Sequence, residues 1–134
     1  VDNEIDIAVI MEDNIEFNTN NFPKKLNNYL EQLPNDWDIL FEGDTLKYIE
    51  KKTRSDLLIY KKKNEVTSQC HGGTNAANCY IIPLKTAKLF YNDFLPFNNV
   101  IDHYMNNLLR KYNLNSYWVV PPVVHRLRRK STVQ

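Results

Sequence analysis

The sequence has no surplus of charge: 17 Lys and Arg stand against 16 Asp and Glu, a net charge of +1. No global field therefore points to nucleic acid or a membrane surface as partner. Long apolar runs are missing too. None approaches the about 20 residues of a membrane-spanning helix, and no secretory signal is visible, so a cytoplasmic location is favoured for the chain as it stands. Cysteine is limited to Cys70 and Cys79, with eight residues between them. So sparse a pair leaves a disulfide and two ordinary thiols both open, and Cys70-His71 with Cys79 matches no zinc module. Internal repeats and linkers are absent as well. With 43% hydrophobic and 12% aromatic residues, the chain reads as one globular domain over residues 1–124, followed by a basic tail at 125–134.

What is present is a series of apolar segments with alternating periods. Ile7-Ala8-Val9-Ile10-Met11 is a continuous apolar run, the pattern of a strand buried on both faces as in a parallel sheet. Two carboxylates and a carboxamide follow at once, Glu12, Asp13 and Asn14. Oxygen ligands just beyond a buried strand lie where open α/β sheets bind their ligands, and hard divalent cations prefer such oxygens. Phe22, Leu26, Tyr29, Leu30 and Leu33 have helical spacing, with Asn21 as a candidate N-cap before Pro23 and Pro34 as the stop. Trp37 to Phe41 reads as a short strand ended by a turn at Glu42-Gly43-Asp44. Residues 45–56 read as a surface excursion, Leu57 to Tyr60 as a short strand, and Lys61 to Lys63 as a solvated turn. Asn78 to Ile82 reads as a buried strand. Helices are expected after Pro83, with Pro96 as an interruption, and from Val100 to about Asn113. Ser116 to Val120 is the last expected strand. Strands alternating with helices indicate a layered α/β domain.

Taken in order, several of these pieces resemble glycosyltransferase family 25. They are the apolar strand ending in Met11-Glu12-Asp13-Asn14, the Pro34-Asn35-Asp36-Trp37-Asp38 segment, and Gly73-Thr74 leading to Asn78-Cys79-Tyr80-Ile81-Ile82. Lys85-Thr86-Ala87-Lys88-Leu89, Val100-Ile101-Asp102 at a helix start, and Tyr117-Trp118-Val119-Val120-Pro121-Pro122 complete the series. The resemblance implies a GT-A-like, partly Rossmann-like mixed sheet flanked by helices. It also implies transfer of a hexose from a UDP-sugar to an acceptor hydroxyl with inversion, assisted by Mn or Mg. The acceptor would be a saccharide or a hydroxylysine-bearing protein.

Carried over by position, Glu12, Asp13 and Asn14 fall on the family's acidic motif, with Asn14 where aspartate is common. Glu12 and Asn14, with His125 further along, are candidate metal ligands. Asp13, Gly73 and Thr74 are candidates for holding the donor, and Asp102 is the candidate general base. The family has a further strand-helix portion before the acidic motif, so the chain resembles a transferase shortened at its N-terminal, nucleotide-binding half. The strand at residues 5–11 then has an open apolar edge, which invites a homodimer. The competing expectation is a catalytically impaired remnant that binds a glycan or a protein. The basic segment from His125 to Lys130 reads as a solvated terminus, not a nucleic-acid platform, because no aromatic residues are interleaved with it.

Overall fold

The computed structural model describes residues 5–43, 59–61, 78–93, 101–119 and 122–127. In chain order the elements are β1 (Ile7–Met11), β2 (Ile15–Phe17), α1 (Phe22–Gln32), β3 (Ile39–Phe41), β4 (Ile59–Lys61) and β5 (Cys79–Pro83). Then follow α2 (Leu84–Asp93), α3 (Ile101–Lys111), β6 (Ser116–Val119) and β7 (Val124–Arg126). Five strands form one sheet in the order β1-β5-β3-β6-β4, while β2 and β7 pair in a small second sheet. β3 and β6 are parallel; β5 is antiparallel to both β1 and β3, and β4 is antiparallel to β6. So β1, β3 and β6 run one way and β4 and β5 the other. The chain is thus an α/β domain with a mixed sheet and helices packed on both faces.

A period of two along each strand sorts the side chains onto those faces. Leu40 of β3, Cys79 and Ile81 of β5, and Tyr117 and Val119 of β6 face a core completed by Tyr29 and Leu33 from the α1 region. Ile39 and Phe41, Ile82, and Trp118 face the opposite core, closed by Phe90 of α2 and by Met105, Leu108 and Leu109 of α3. Both cores are closed at the sheet: Ile39, Leu40 and Ile81 are fully buried, each contributing about 1.5–3 kcal/mol of transfer free energy.

The helices start and stop for local reasons. Asn21 is the N-cap residue, as the sequence indicates, but it sits in the left-handed region (φ 56°) and its side chain makes no capping bond. The helix instead opens through the Asn21 carbonyl, which accepts from Lys25 N at 3.2 Å, with Pro23 in the first turn. α3 carries Asp102 in its first turn and Arg110 and Lys111 in its last, the charge order that the helix dipole favours. Asn113 (φ 49°) ends it in the left-handed conformation.

Several expectations are corrected. The parallel, doubly buried β1 is an antiparallel edge strand among the described residues, half-buried along its middle, with Ile7 and Met11 exposed. An apolar run alone does not report strand direction, and here the partner is β5, which runs antiparallel to it. Lys61 belongs to β4, opposite Tyr117, not to a turn. His125 and Arg126 belong to β7, not to the basic tail. The 45–56 excursion, the break at Pro96 and residues 57–58 lie outside the described residues.

Asp38 ties the end of the sheet remote from the acidic turn. Its carboxylate accepts from the Asn115 backbone N–H at 2.7 Å and pairs with Lys85 at 2.9 Å, while its carbonyl accepts from the Thr86 hydroxyl at 2.8 Å. It thereby pins the starts of β3, β6 and α2 together. Asp38→Ala is expected to lower the unfolding free energy by about 1–3 kcal/mol, because the Asn115 N–H loses its charged acceptor. Urea denaturation reads this, with Lys85→Ala, which removes only the exposed ion pair, expected to cost under about 1 kcal/mol.

Candidate functional site

Because β1, β3 and β6 are like-directed, their carboxyl ends meet at one end of the sheet, together with the amino end of β5. That is the end at which open α/β sheets hold ligands. Four short segments converge there. Residues 12–14 leave β1, Glu42 and Gly43 leave β3, Asn78 precedes β5, and Pro122 and Val123 lead into β7. Backbone bonds stitch them: Glu12 N to Asn78 O at 2.9 Å, Glu42 N to Cys79 O at 3.1 Å, and Val123 N to Glu42 O at 3.0 Å.

The acidic turn is fixed by the small sheet that follows it. β2 pairs with β7 in the register Ile15 to Arg126, Glu16 to His125 and Phe17 to Val124, and Leu127 N donates to Asn14 O at 2.8 Å. Alternation along β7 sends Arg126 and His125 to opposite faces. Arg126 reaches back to Glu12, Nη2 to Oε2 at 3.1 Å. His125 instead contacts Glu16 at 3.4 Å and hydrogen-bonds Asn18. The arrangement thus brings Glu12, Asp13 and Asn14 together on one turn and leaves the His125 imidazole on the face away from Arg126 and Glu12.

Asp102 stands in the first turn of α3, half-buried, and its carboxylate bears on Tyr80 of β5. Burial, and then the Asp102 charge, raise the Tyr80 hydroxyl above its ordinary pKa. Tyr80 is one residue inside the amino end of β5, so Asp102 belongs to the same end of the sheet as the acidic turn. Gly73 and Thr74, with Cys70 and His71, lie outside the described residues. Cys79 is a free, buried thiol.

The residue missed by sequence reading is Glu42. Read as part of a turn that ends β3, it is fully buried. Its Oε2 accepts from the Cys79 thiol at 3.2 Å and its Oε1 has no hydrogen-bond partner among the described residues. Burial pushes its carboxyl up to about 7, with the thiol bond pulling the other way. Burial, and then the Glu42 charge, raise Cys79 and also Tyr29 above their ordinary values. A signal was available: period two carries Leu40 and Glu42 to the same face, into the α1-side core. Gly43 beside it is set by close approach. A Cβ there would lie 1.7 Å from Asn78 Oδ1, and that oxygen already accepts from Cys79 N at 3.1 Å.

Among the described residues no group of three or more His, Cys, Asp or Glu side chains is gathered for a metal ion. The acidic turn does carry oxygen donors of the kind a hard cation takes. Asn14 Oδ1 is buried without a hydrogen-bond partner, Asp13 is exposed beside it, and Glu12 is held only by a part-exposed ion pair, worth under about 1 kcal/mol. Carboxylate and carboxamide oxygens with water completing the shell suit Mg or Mn. His125 is not part of that oxygen set. Among the described residues no helix is long and apolar enough to cross a membrane.

No protein-family model matches this chain, and neither a curated protein nor a solved structure is detectably similar to it.

Proposed function

We propose that the chain is a sugar-nucleotide-dependent glycosyltransferase, moving a hexose from a UDP-sugar to an acceptor hydroxyl with inversion. The observation that supports this reading most is the convergence of Glu12, Asp13, Asn14 and Asp102 at the carboxyl end of like-directed strands. In this reading the diphosphate lies against the acidic turn, and Glu12, Asp13 and Asn14 are the residues that would hold Mn or Mg. That cation, when bound, offsets the negative charge of the departing diphosphate. Asp102 accepts the proton of the acceptor hydroxyl as its oxygen attacks the anomeric carbon. The bond from that carbon to the phosphate oxygen breaks, and the nucleoside diphosphate leaves with the electron pair. Attack from the face opposite the leaving group inverts the centre.

A second reading, a non-catalytic glycan- or protein-binding remnant of such an enzyme, is favoured by the Glu12–Arg126 pair, which already neutralises one carboxylate of the turn. Calorimetric titration separates the two. Mn-dependent binding of UDP and UDP-galactose, weakened at least about tenfold in Asp13→Ala, is expected of the transferase, since one charge-assisted contact is worth about 1.5–3 kcal/mol. Asp102→Asn is expected to keep nucleotide binding and lose transfer. Absence of any nucleotide binding would sink the transferase reading and leave the remnant.

A further inference from the structure

A cavity of about 460 Å³ opens between α1 and the segment leading into β7, lined by Asn18, Thr19, Lys25, Asn28, Tyr29, Pro122 and Val123. Its size is that of a small-molecule site, and its chemistry is selective. The rim offers two carboxamides, a hydroxyl and an ammonium group. The floor is apolar, from Pro122, Val123 and the edge of Tyr29. We propose that this cavity is a saccharide subsite that holds the acceptor sugar; its sugar chemistry stands on the cavity, and its role as acceptor site rests on the transferase reading.

Carboxamides donate and accept at once, which matches sugar hydroxyls that do the same. The Asn28 carboxamide makes no hydrogen bond among the described residues, so its donors and acceptor are available to a ligand. Asn18 is the preorganised member. Its backbone N–H donates to Val123 O at 2.7 Å, its carboxamide donates to Pro122 O at 3.2 Å, and its Oδ1 meets the His125 ring. One of its two amide hydrogens remains for a ligand. The Lys25 ammonium rests on the Thr19 hydroxyl and can also donate to a sugar oxygen; no carboxylate lines the cavity, so a cationic ligand is disfavoured. Tyr29 is 4% exposed and offers no open ring face, which argues against a stacked nucleobase. The cavity opens on the α1 face, opposite the face that carries Asp102 and Tyr80; Val123 in its floor donates to the Glu42 carbonyl at the carboxyl end of β3, so an acceptor held there reaches Asp102 across that end of the sheet.

The test is amide NMR on the full chain, titrated separately with methyl galactoside, methyl glucoside, UMP and acetate. The expected result is saccharide-induced shifts at the Asn18 and Asn28 side-chain amides and at Val123 N–H. In Asn28→Ala and Lys25→Met, surface changes on α1 that leave the far-UV spectrum intact, the saccharide affinity is expected to fall about tenfold. Shifts at these groups from acetate or UMP but not from saccharide overturn the proposal, as does saccharide binding indifferent to both substitutions. UMP shifts at residues 12–14 without saccharide shifts in the cavity reject the subsite and spare the transferase. Saccharide shifts in the cavity with no nucleotide binding at all keep the sugar site and reject its acceptor role.

Discussion

Replacing Glu42 by Gln is expected to stabilise the protein above neutral pH by about 3 kcal/mol and to leave it unchanged below pH 4.5. The Glu42 carboxyl is raised from an ordinary 4.5 to about 7 by burial. The folded state therefore binds this proton more tightly than the unfolded chain. That contribution is complete below pH 4.5, declines as pH rises, and is lost once pH has passed through about 7. A shift of this size corresponds to about 3 kcal/mol. Above neutrality the wild-type chain keeps a carboxylate at a fully buried position that, among the described residues, has a thiol donor and no ion-pair partner. Gln removes the charge while keeping the shape. Urea unfolding of both proteins at pH 5 and pH 8 reads the effect as a difference of differences, in which all other titrating groups cancel. A wild-type-minus-variant gap that stays constant between the two pH values would show that Glu42 is not held protonated by burial.

The second large effect belongs to Trp118. It lies on β6 between β3 and β4, is 2% exposed, and stacks on Phe41, its register partner, with ring centroids 4.9 Å apart at 24°. Trp118→Ala deletes the largest side chain of the α2/α3-side core and empties a space bounded by a sheet and two helices, where relaxation is restricted. The expected loss is about 3–5 kcal/mol, a large share of the about 5–15 kcal/mol that holds a domain of this size. Trp118→Phe, which keeps an aromatic face against Phe41, is expected to lose less than half as much. The shift in urea midpoint at constant slope measures both. An alanine variant within about 1 kcal/mol of wild type would mean that the packing around Phe41 is loose.

The apolar periods of the sequence were enough to locate the longer elements, but not β2 or β7, whose three residues each are too few to show a period. The spacing from Phe22 to Leu33 placed α1, Pro83 marked the entry to α2, and the run from Ser116 placed β6. They did not carry strand direction or pairing. β1 and β5 are both apolar runs, and whether two such runs pair parallel or antiparallel depends on the connection between them, not on their own composition. Of the site, the acidic turn and Asp102 were visible because carboxylates after a strand and at a helix start are local features. Their shared location at one end of the sheet is a product of topology, so the sequence could list them without joining them. His125 was named for its residue type, and the β7 alternation then turned it toward Glu16 and Asn18. Glu42 was hidden by its neighbour. Glycine after a charged residue reads as a turn, whereas Gly43 answers to the crowding of Asn78 and Glu42 continues the inward side of β3. The cavity beside α1 had no signature, because its lining comes from three separated stretches of chain.

The two-stranded pairing of β2 with β7 has a temporal meaning. The Glu12–Arg126 contact spans 114 positions, so the turn that carries Glu12, Asp13 and Asn14 is synthesised early but can be clasped only when nearly all of the described chain has emerged. Contacts of such long range are among the last to repay their loop-closure entropy. A nascent chain that already holds β1, β5 and β3 therefore has a sheet without a finished turn. The turn at that end of the sheet is completed late, by the arrival of residues 124–127.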